Sequence, residues 1–233
     1  MKMTAEDLTR MNRVLRHRLR NTASGMKSSV ALLAEELKDI ATPDLLEYFP
    51  LLTQECDRLT EVTERLDALF DRAIPAAPFG AAAAPEGTPD GVALAAWLAD
   101  GLRRRFPGVR VTDDSDTAAS GCAIPDPKRA MAALAEIGVN AAEAAGRSHD
   151  VRCYANVRDG SVALGVHQGG EPVAPEAISQ MVLPFFTTKS RHLGVGLNLA
   201  RKWAEECGGG LHVFPAPEGG LTVELCWPET RRT

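Results

Sequence analysis

The sequence is poor in aromatic residues, has no excess of basic over acidic residues, and contains no long apolar run. Aromatic side chains make up 5% of the 233 residues, and the formal net charge at pH 7 is -5. Proteins that bind nucleic acid present a positive surface to the phosphates, so this charge balance argues against such a partner. No apolar stretch approaches the roughly 18 residues of a membrane helix, and the charged N-terminus is not typical of a signal peptide. We therefore predict a cytoplasmic protein with no membrane partner.

Cysteine is also scarce, and it is scattered along the chain. The five cysteines are odd in number, form no Cys-x-x-Cys pair and have no histidine at metal-ligand spacing. Disulfide frameworks and structural zinc sites both need closely patterned cysteines. The sequence therefore predicts reduced and mostly buried thiols at Cys56, Cys122, Cys153, Cys207 and Cys226.

The chain changes texture once, in a segment rich in alanine, proline and glycine. This segment, residues 73–91, interrupts the periodic apolar patterns on either side of it, as linkers do. The chain is long enough for two small cores. We predict a helical domain over residues 1–72, a linker over 73–91 and a second domain over 92–233.

Two long helices, separated by the sequence ATPD, are predicted in the first domain. Thr42 suits the N-cap and Pro43 the first position of the second helix. Both helices carry apolar or small residues at alternating steps of three and four, which is typical of the seam of a four-helix bundle. One hairpin cannot enclose both seams, whereas two hairpins can, so we predict a homodimeric bundle. The seam residues are Leu8, Met11, Leu15, Leu19, Thr22, Met26, Val30, Leu33 and Leu37 in the first helix, and Leu45, Phe49, Leu52, Cys56, Leu59, Thr63, Leu66 and Phe70 in the second.

The second domain mixes helices and strands without the strict alternation of a parallel sheet. This mixture predicts an α/β sandwich with helices on one face of a mixed sheet, and it makes the fold class of the whole chain α+β. Helices are predicted near residues 92–105 and 127–145 and from about residue 197, with strands near 109–112, 151–157, 162–166, 211–214 and 221–227.

His17 lies off the apolar seam of the first helix and should face solvent. It shares its face with Arg20, Asn21, Ser24 and Ser28. A neutral, exposed imidazole is a nucleophile near neutral pH and can be offered to another domain or protein. Most exposed histidines on helices have no such role. We treat His17, with Asn21 one turn further on, as candidate catalytic residues.

The helix predicted over residues 127–145 carries a polar face beside its buried stripe. Glu136, Asn140 and Glu143 occupy this face at steps of four and three. An amide oxygen flanked by carboxylates suits a hydrated Mg²⁺ that also binds phosphates. Glutamates are equally common on helix surfaces that bind nothing, but asparagine is a poor helix former and is less expected there.

A glycine turn precedes the last predicted helix. Gly194 and Gly196 allow close approach of the backbone, and the helix N-terminus beginning near Leu197 would direct N–H groups at an anion. Lys189, which follows two threonines, would add a positive charge to the same site. A glycine turn before a helix is often only a turn, so this pattern alone is weak support for a phosphate site.

Four segments resemble, in order and approximate spacing, the H, N, F and G2 boxes of bacterial two-component histidine kinases. They are HRLRN, EIGVNAAEA, PFFTTK and GVGLNLA, beginning at His17, Glu136, Pro184 and Gly194. The hairpin is similar to the dimerisation and phosphotransfer domain of the nitrogen-regulation type of sensor kinase. The second domain resembles the ATP-binding domain that these kinases share with the gyrase and Hsp90 superfamily.

The resemblance implies an enzyme that uses ATP and Mg²⁺ and autophosphorylates on His17. It further implies that Asn140 is the Mg²⁺ ligand, that Glu136 lies near the γ-phosphate, and that the turn from Gly194 to Leu197 belongs to the lid over ATP. Phosphate would then pass to an aspartate on the receiver domain of a response regulator.

Three residues depart from the family pattern, two in the G1 box and one beside His17. The G1 box normally reads Asp-x-Gly-x-Gly, with the aspartate on the adenine amino group. Its counterpart VHQGGEPVAPE has Gln168 at the aspartate, Gly170 at the first glycine and Pro172 at the second. The residue after His17, commonly an acid, is Arg18, as it is in some subfamilies.

These departures leave two functions of different classes. The first is an ATP-dependent histidine kinase, with Gln168 and Gly170 as candidate adenine-site residues. The second is a histidine phosphotransfer relay, or a pseudokinase that no longer uses ATP. A relay would be expected to lose the Mg²⁺ and phosphate residues too, so the retained Asn140 and Lys189 favour the kinase. In either case few residues precede the first helix, and we expect the signal to arrive through another protein.

Overall fold

The computed structural model describes residues 5–70, 79, 85, 87–189 and 192–231. Contacts between residues divide the chain into two compact units, Met1–Ala73 and Ile74–Thr233, which are described separately. In chain order, the described helices and strands are α1 (Ala5–Leu37), α2 (Pro43–Phe70), α3 (Gly91–Arg105), β1 (Arg110–Asp113), a 3₁₀ turn (Thr117–Ala119), α4 (Pro127–Ala145), β2 (Asp150–Arg158), β3 (Ser161–Gln168), α5 (Pro175–Met181), α6 (Gly196–Glu206), β4 (Gly210–Pro215) and β5 (Leu221–Pro228).

The first unit is the predicted helical hairpin, which the structure confirms. The amide of Ala41 donates to the carbonyl of Leu37 (2.8 Å) where α1 ends. Thr42 Oγ1 accepts from the amide of Leu45 (3.4 Å), so α2 begins at the predicted cap and at Pro43. None of the described helices has the length and apolar character needed to cross a membrane.

The two helices of the hairpin pack on each other through small and polar side chains. The buried members are Ala23, Cys56, Thr63 and Ala68, and Arg16 is 3% exposed. Several leucines of the seams are not buried by the hairpin: Leu15 and Leu52, for example, are 50% and 49% exposed in the single chain.

The second unit is an α/β sandwich, and here too the predicted class is confirmed. Its five strands run in the order β1-β2-β3-β5-β4, with β1 and β2 parallel and every other pair antiparallel. Helices α3, α4 and α6 pack on the sheet. Along β2, Val151, Cys153 and Ala155 are buried while Arg152 and Tyr154 are partly exposed. This period of two is expected of a sheet covered on one face.

The core lies between the sheet and these helices. Gly138 of α4 sits directly against α3, because a Cβ at this position would stand 2.8 Å from Leu98 Cδ1. Each fully buried leucine or isoleucine contributes about 1.5–3 kcal/mol. The largest side chains below 2% exposure are Trp203, Trp227, Leu94, Leu98, Leu102, Leu134, Ile137, Leu164, Leu199, Leu225, Val151 and Val162.

Two short elements, the 3₁₀ turn and α5, are not among the predicted ones. Each covers fewer than ten residues, so neither contains enough turns to show an apolar period. α5 lies between the end of β3 and the segment PFFTTK.

The five cysteines are free thiols. Cys56, Cys122 and Cys153 are buried and the other two are half-buried. Burial, with a smaller effect of Asp113, raises the pKa of Cys153 to about 12. Such a thiol is almost wholly protonated at neutral pH and is a poor nucleophile.

Candidate functional site

Helix α4 presents the polar face that the sequence predicts. Asp126 accepts from the amide of Arg129 (3.2 Å) and Pro127 occupies the first turn, so the start of the helix is fixed. Leu134 and Ile137 are buried on its core side, and Asn140 is exposed on the neighbouring face. The helix therefore holds Asn140 at the surface on a rigid support.

Lys189 lies directly on this face of α4. Its Nζ donates to Asn140 Oδ1 (2.9 Å) and is 3.4 Å from the Asn140 carbonyl oxygen. The same ammonium is 2.8 Å from Glu143 Oε2. His192 Nε2 is also 3.2 Å from Glu143 Oε2. The structure thus brings together Asn140, Glu143 and Lys189, which the sequence singles out, and adds His192 to them.

At the start of α6, two positions leave no room for a side chain and need glycine: Gly194, just before the helix, and Gly196, its first residue. Gly194 has φ +71°, and a Cβ there would stand 2.6 Å from the carbonyl oxygen of Phe186. The amide of Phe185 donates to the Gly194 carbonyl (2.9 Å). At Gly196 a Cβ would stand 2.7 Å from Glu136 Oε2, so the Glu136 carboxylate lies against the first residue of α6. At both glycines the backbone is thus in close contact with other parts of the chain itself.

Helix α6 begins without a capping side chain. Its N-cap is Val195, which makes no side-chain cap hydrogen bond, and Leu197 lies in its first turn. Asn198 Nδ2 is buried and, among the described residues, has no hydrogen-bond partner. Amides in the first turn of a helix that lack a side-chain cap favour an anion.

The segment aligned with the G1 box forms the end of β3 and the following turn. Gln168 is the last residue of β3, and the amide of Gly169 donates to the Asp150 carbonyl (2.9 Å). Gly170 has φ +155°, and a Cβ at Gly220 would stand 2.0 Å from the Gln168 carbonyl oxygen. The turn before β5 is therefore packed tightly on this segment. Within the described part of the chain, no hydrogen bond joins Gln168 to the Asn140 and Lys189 cluster.

In the hairpin, His17 is exposed as predicted, and Asn21 contacts it. Asn21 Nδ2 lies 3.2 Å from His17 Nε2. With the amide nitrogen as the donor, the acceptor is the Nε2 lone pair, and this pairing belongs to the tautomer that carries its proton on Nδ1. This is the tautomer in which Nε2 is a nucleophile.

Arginines on both sides of His17 are anchored to the second helix. Arg16 and Arg20 both pair with Asp67, and the Arg16 side chain is 4% exposed. These ion pairs fix α1 against α2 at the level of the histidine. Arg16 and Asp67 carry no sequence signal of this role, because their pairing depends on how the two helices pack.

The chain has recognisable relatives. Residues 125–231 match the family model described as histidine kinase-, DNA gyrase B-, and HSP90-like ATPase. The C4-dicarboxylate transport sensor protein DctB of Rhizobium meliloti (strain 1021) is 31% identical over 172 residues, which cover 71% of this chain and 27% of the relative. The sensor histidine kinase ZraS of Escherichia coli (strain K12) is 28% identical over 103 residues, or 44% of this chain and 22% of the relative. The matches thus span about a quarter of the length of these relatives.

Solved structures share the fold over nearly the whole chain. Full-length ShkA in complex with AMPPNP superposes with a TM-score of 0.73 at 20% identity, over 96% of this chain and 46% of that chain. The histidine kinase ThkA in complex with the response regulator protein TrrA gives a TM-score of 0.59 at 19% identity, over 95% of this chain and 61% of that chain. At this level of identity the structures establish the fold alone.

Proposed function

We propose that this chain, a member of the two-component histidine kinases with their ATPase domain, transfers the γ-phosphate of ATP to His17 and then to a response-regulator aspartate. The observation that carries the proposal is the contact between Lys189 and Asn140 (2.9 Å). These residues stand 49 positions apart, and the sequence assigns both to a phosphate and metal site. A relay protein would have no use for such a site. Gln168 and Pro172 are the residues that favour the relay.

The residues around Asn140 fit a hydrated Mg²⁺. Asn140 offers an amide oxygen of the hard type that this ion prefers. A cation, the Lys189 ammonium, already lies 2.9 Å from that oxygen. Among the described residues no three His, Cys, Asp or Glu side chains converge on a metal position, so phosphates and water would complete the coordination. Bound Mg²⁺ would neutralise charge on the triphosphate.

The protein's own groups would divide the work as follows. Gly194, Gly196 and the first turn of α6, with Leu197, would accept the phosphates against backbone amides. Lys189 would add a positive charge to them. Gln168 and Gly170 would border the adenine site, with the Gln168 amide oxygen accepting from the adenine amino group. Glu136, which lies against Gly196, would face the γ-phosphate.

His17 is suited to be the nucleophile. Once its hydrogen bond with Asn21 breaks, the Nε2 lone pair attacks the γ-phosphorus while the bond to the bridging oxygen breaks and ADP leaves. The proton on Nδ1 can pass to solvent afterwards. The exposed position of His17 also lets a receiver aspartate reach the phosphoryl group. ThkA, whose structure contains the response regulator TrrA, provides a precedent among proteins of this fold.

The hairpin supports a homodimer. Leu15, Leu19 and Leu33 of α1 are 50%, 51% and 49% exposed, and Leu52 and Leu59 of α2 are 49% and 45% exposed. Pairing two hairpins would bury both stripes in one four-helix bundle.

The proposed division remains a bundle domain over residues 1–72, a linker over 73–91 and an ATPase domain over 92–233. Consumption of ATP and five free thiols fit the cytoplasm.

The test is incubation of the full chain with γ-labelled ATP and Mg²⁺, with and without receiver domains. Acid-labile label retained by the chain alone is the expected result. Label that reaches the chain only from a phosphorylated receiver domain would instead establish the relay, and no label in either arm would contradict both functions.

A further inference from the structure

The Lys189 ammonium occupies a cradle of three oxygens. Its partners are the side-chain and main-chain oxygens of Asn140, at 2.9 and 3.4 Å, and Glu143 Oε2 at 2.8 Å. The Asn140 amide oxygen is the same atom that would bind the metal of the proposed kinase. The Lys189 ammonium and the proposed metal ion would therefore compete for the same oxygen.

Lys189 is held in place at its backbone as well as at its ammonium. The amide of Lys189 donates to Thr187 Oγ1 (3.0 Å), and its carbonyl accepts from the amide of His192 (3.1 Å). The Glu143 carboxylate, whose side chain is 24% exposed, contacts both Lys189 and His192. Partial burial reduces the screening of this ion pair by solvent.

A lysine ammonium and Mg²⁺ cannot share the Asn140 amide oxygen. Two cations bound to one oxygen would lie within a few ångströms of each other and repel strongly. Moreover, Lys189 donates one of its N–H groups to Glu143, and in the nucleotide-bound state that N–H would be needed by the triphosphate. The arrangement seen here and the nucleotide-bound arrangement are therefore alternatives.

We propose that Lys189 is the resident cation of this site before nucleotide binds, and that Glu143 is the positioning residue that holds it on Asn140. Binding of the metal nucleotide exchanges one cation for the other, and Lys189 turns from Asn140 and Glu143 to the phosphates. Glu143 thus lowers the affinity of the site for the metal nucleotide. The inference rests on the proposed function, because it takes Asn140 as the metal ligand.

Calorimetry with Mg²⁺ and AMPPNP on the full chain tests the exchange through binding alone. An ion pair of this exposure changes an equilibrium constant by up to about fivefold, so Glu143→Gln should tighten binding about threefold. Glu205→Gln, an equal change of charge on the exposed side of α6, is the matched control and should leave the affinity unchanged. Weaker binding by Glu143→Gln would overturn the proposal, since Glu143 would then support the nucleotide.

A double-mutant cycle separates the exchange from simple repulsion between Glu143 and the phosphates. Repulsion would act equally in the wild type and in Lys189→Met. If Glu143 works by holding Lys189, Glu143→Gln should tighten binding more in the wild type than in the Lys189→Met background. Equal tightening in both backgrounds would contradict the proposal.

The nucleotide-free protein gives a readout that is independent of the proposed function. In ¹⁵N-labelled protein the side-chain amide resonance of Asn140 should shift on Glu143→Gln and shift in the same direction on Lys189→Met. An unchanged resonance in both variants would show that Lys189 does not occupy Asn140. Should the wild type fail to bind AMPPNP at millimolar concentration, the kinase proposal would fall, while this resonance would still report whether Lys189 is the resident cation.

Discussion

Gln168 is the residue at which the chain departs most from the kinase pattern, and it sits where strand pairing leaves little freedom. It ends β3, opposite Val151 of β2 and Leu221 of β5. Its backbone is therefore fixed, and only its side chain can adapt to adenine. A neutral amide in place of a carboxylate weakens a hydrogen bond to the adenine amino group without removing it.

We expect Gln168→Asp to tighten ATP binding about fivefold. A neutral hydrogen bond is worth about 0.5–1.5 kcal/mol and one to a charged group about 1.5–3 kcal/mol, a difference of roughly 1 kcal/mol. Calorimetry with AMPPNP measures the change, and Gln54→Asp on the hairpin is a control of equal charge. Equal affinity of Gln168→Asp and the wild type would mean that another residue reads adenine.

His167 is a buried titratable residue on the face of the sheet away from the helices. Its Nδ1 lies 3.2 Å from Thr222 Oγ1, and its Nε2 lies 3.6 Å from Glu218, which also pairs with Arg152. Burial, with a smaller contribution from the Arg152 guanidinium, lowers the pKa of His167. The folded protein therefore binds this proton less well than the unfolded chain does.

Stability should accordingly fall as the pH drops below the unfolded histidine pKa of about 6.5. The contribution of His167 is fully present above that pH and is lost as the pH falls through the lowered pKa of the folded state. Urea unfolding at pH 7.5 and 5.5 should show a smaller loss for His167→Gln than for the wild type or the exposed control His149→Gln. Identical losses in all three proteins would contradict the assignment.

At the scale of elements, the most buried side chains of the hairpin are small or polar rather than leucine. Ala23, Cys56 and Thr63 are buried, whereas seam leucines such as Leu15 and Leu52 are 50% and 49% exposed in the single chain. The seam pattern predicts that leucines are buried, and the structure shows that the hairpin alone does not bury them. A second copy of the hairpin accounts for both observations.

Leu52→Asp combined with Leu59→Asp should convert the proposed dimer to a monomer. Each carboxylate would be buried without a partner at the bundle interface, at a cost of several kcal/mol. Light scattering at micromolar concentration measures the mass. Leu32→Asp combined with Ile40→Asp, at apolar positions that are 66% and 77% exposed and off the seam, is the control. A monomeric wild type would refute the bundle.

The elements show what the sequence could predict and what it could not. Thr42 and Pro43 are local signals for the start of α2, and that helix begins at Pro43 as they predict. The contact between Lys189 and Asn140 depends on how a turn packs against a helix 49 positions earlier. No local pattern encodes that distance, and for the same reason the role of Glu143 as a partner of Lys189 was out of reach.

At the scale of the whole molecule, the chain combines two units whose proposed functions need each other. The hairpin exposes His17, the proposed nucleophile, with Asn21 Nδ2 3.2 Å from its Nε2. The sandwich belongs to a family of ATPases over residues 125–231. Neither unit alone explains why the chain retains both the H-box histidine and the N-box asparagine.

The most direct measurement is the position of phosphate on the chain after incubation with ATP and Mg²⁺. Wild type, His17→Asn, Asn140→Ala and the control His149→Asn are each treated with γ-labelled ATP and assayed for acid-labile, base-stable label. We predict label on the wild type and the control, and none on His17→Asn or Asn140→Ala. His17 is exposed, so its substitution should cost little stability, and circular dichroism confirms folding. Phosphohistidine that persists on folded His17→Asn would contradict the account.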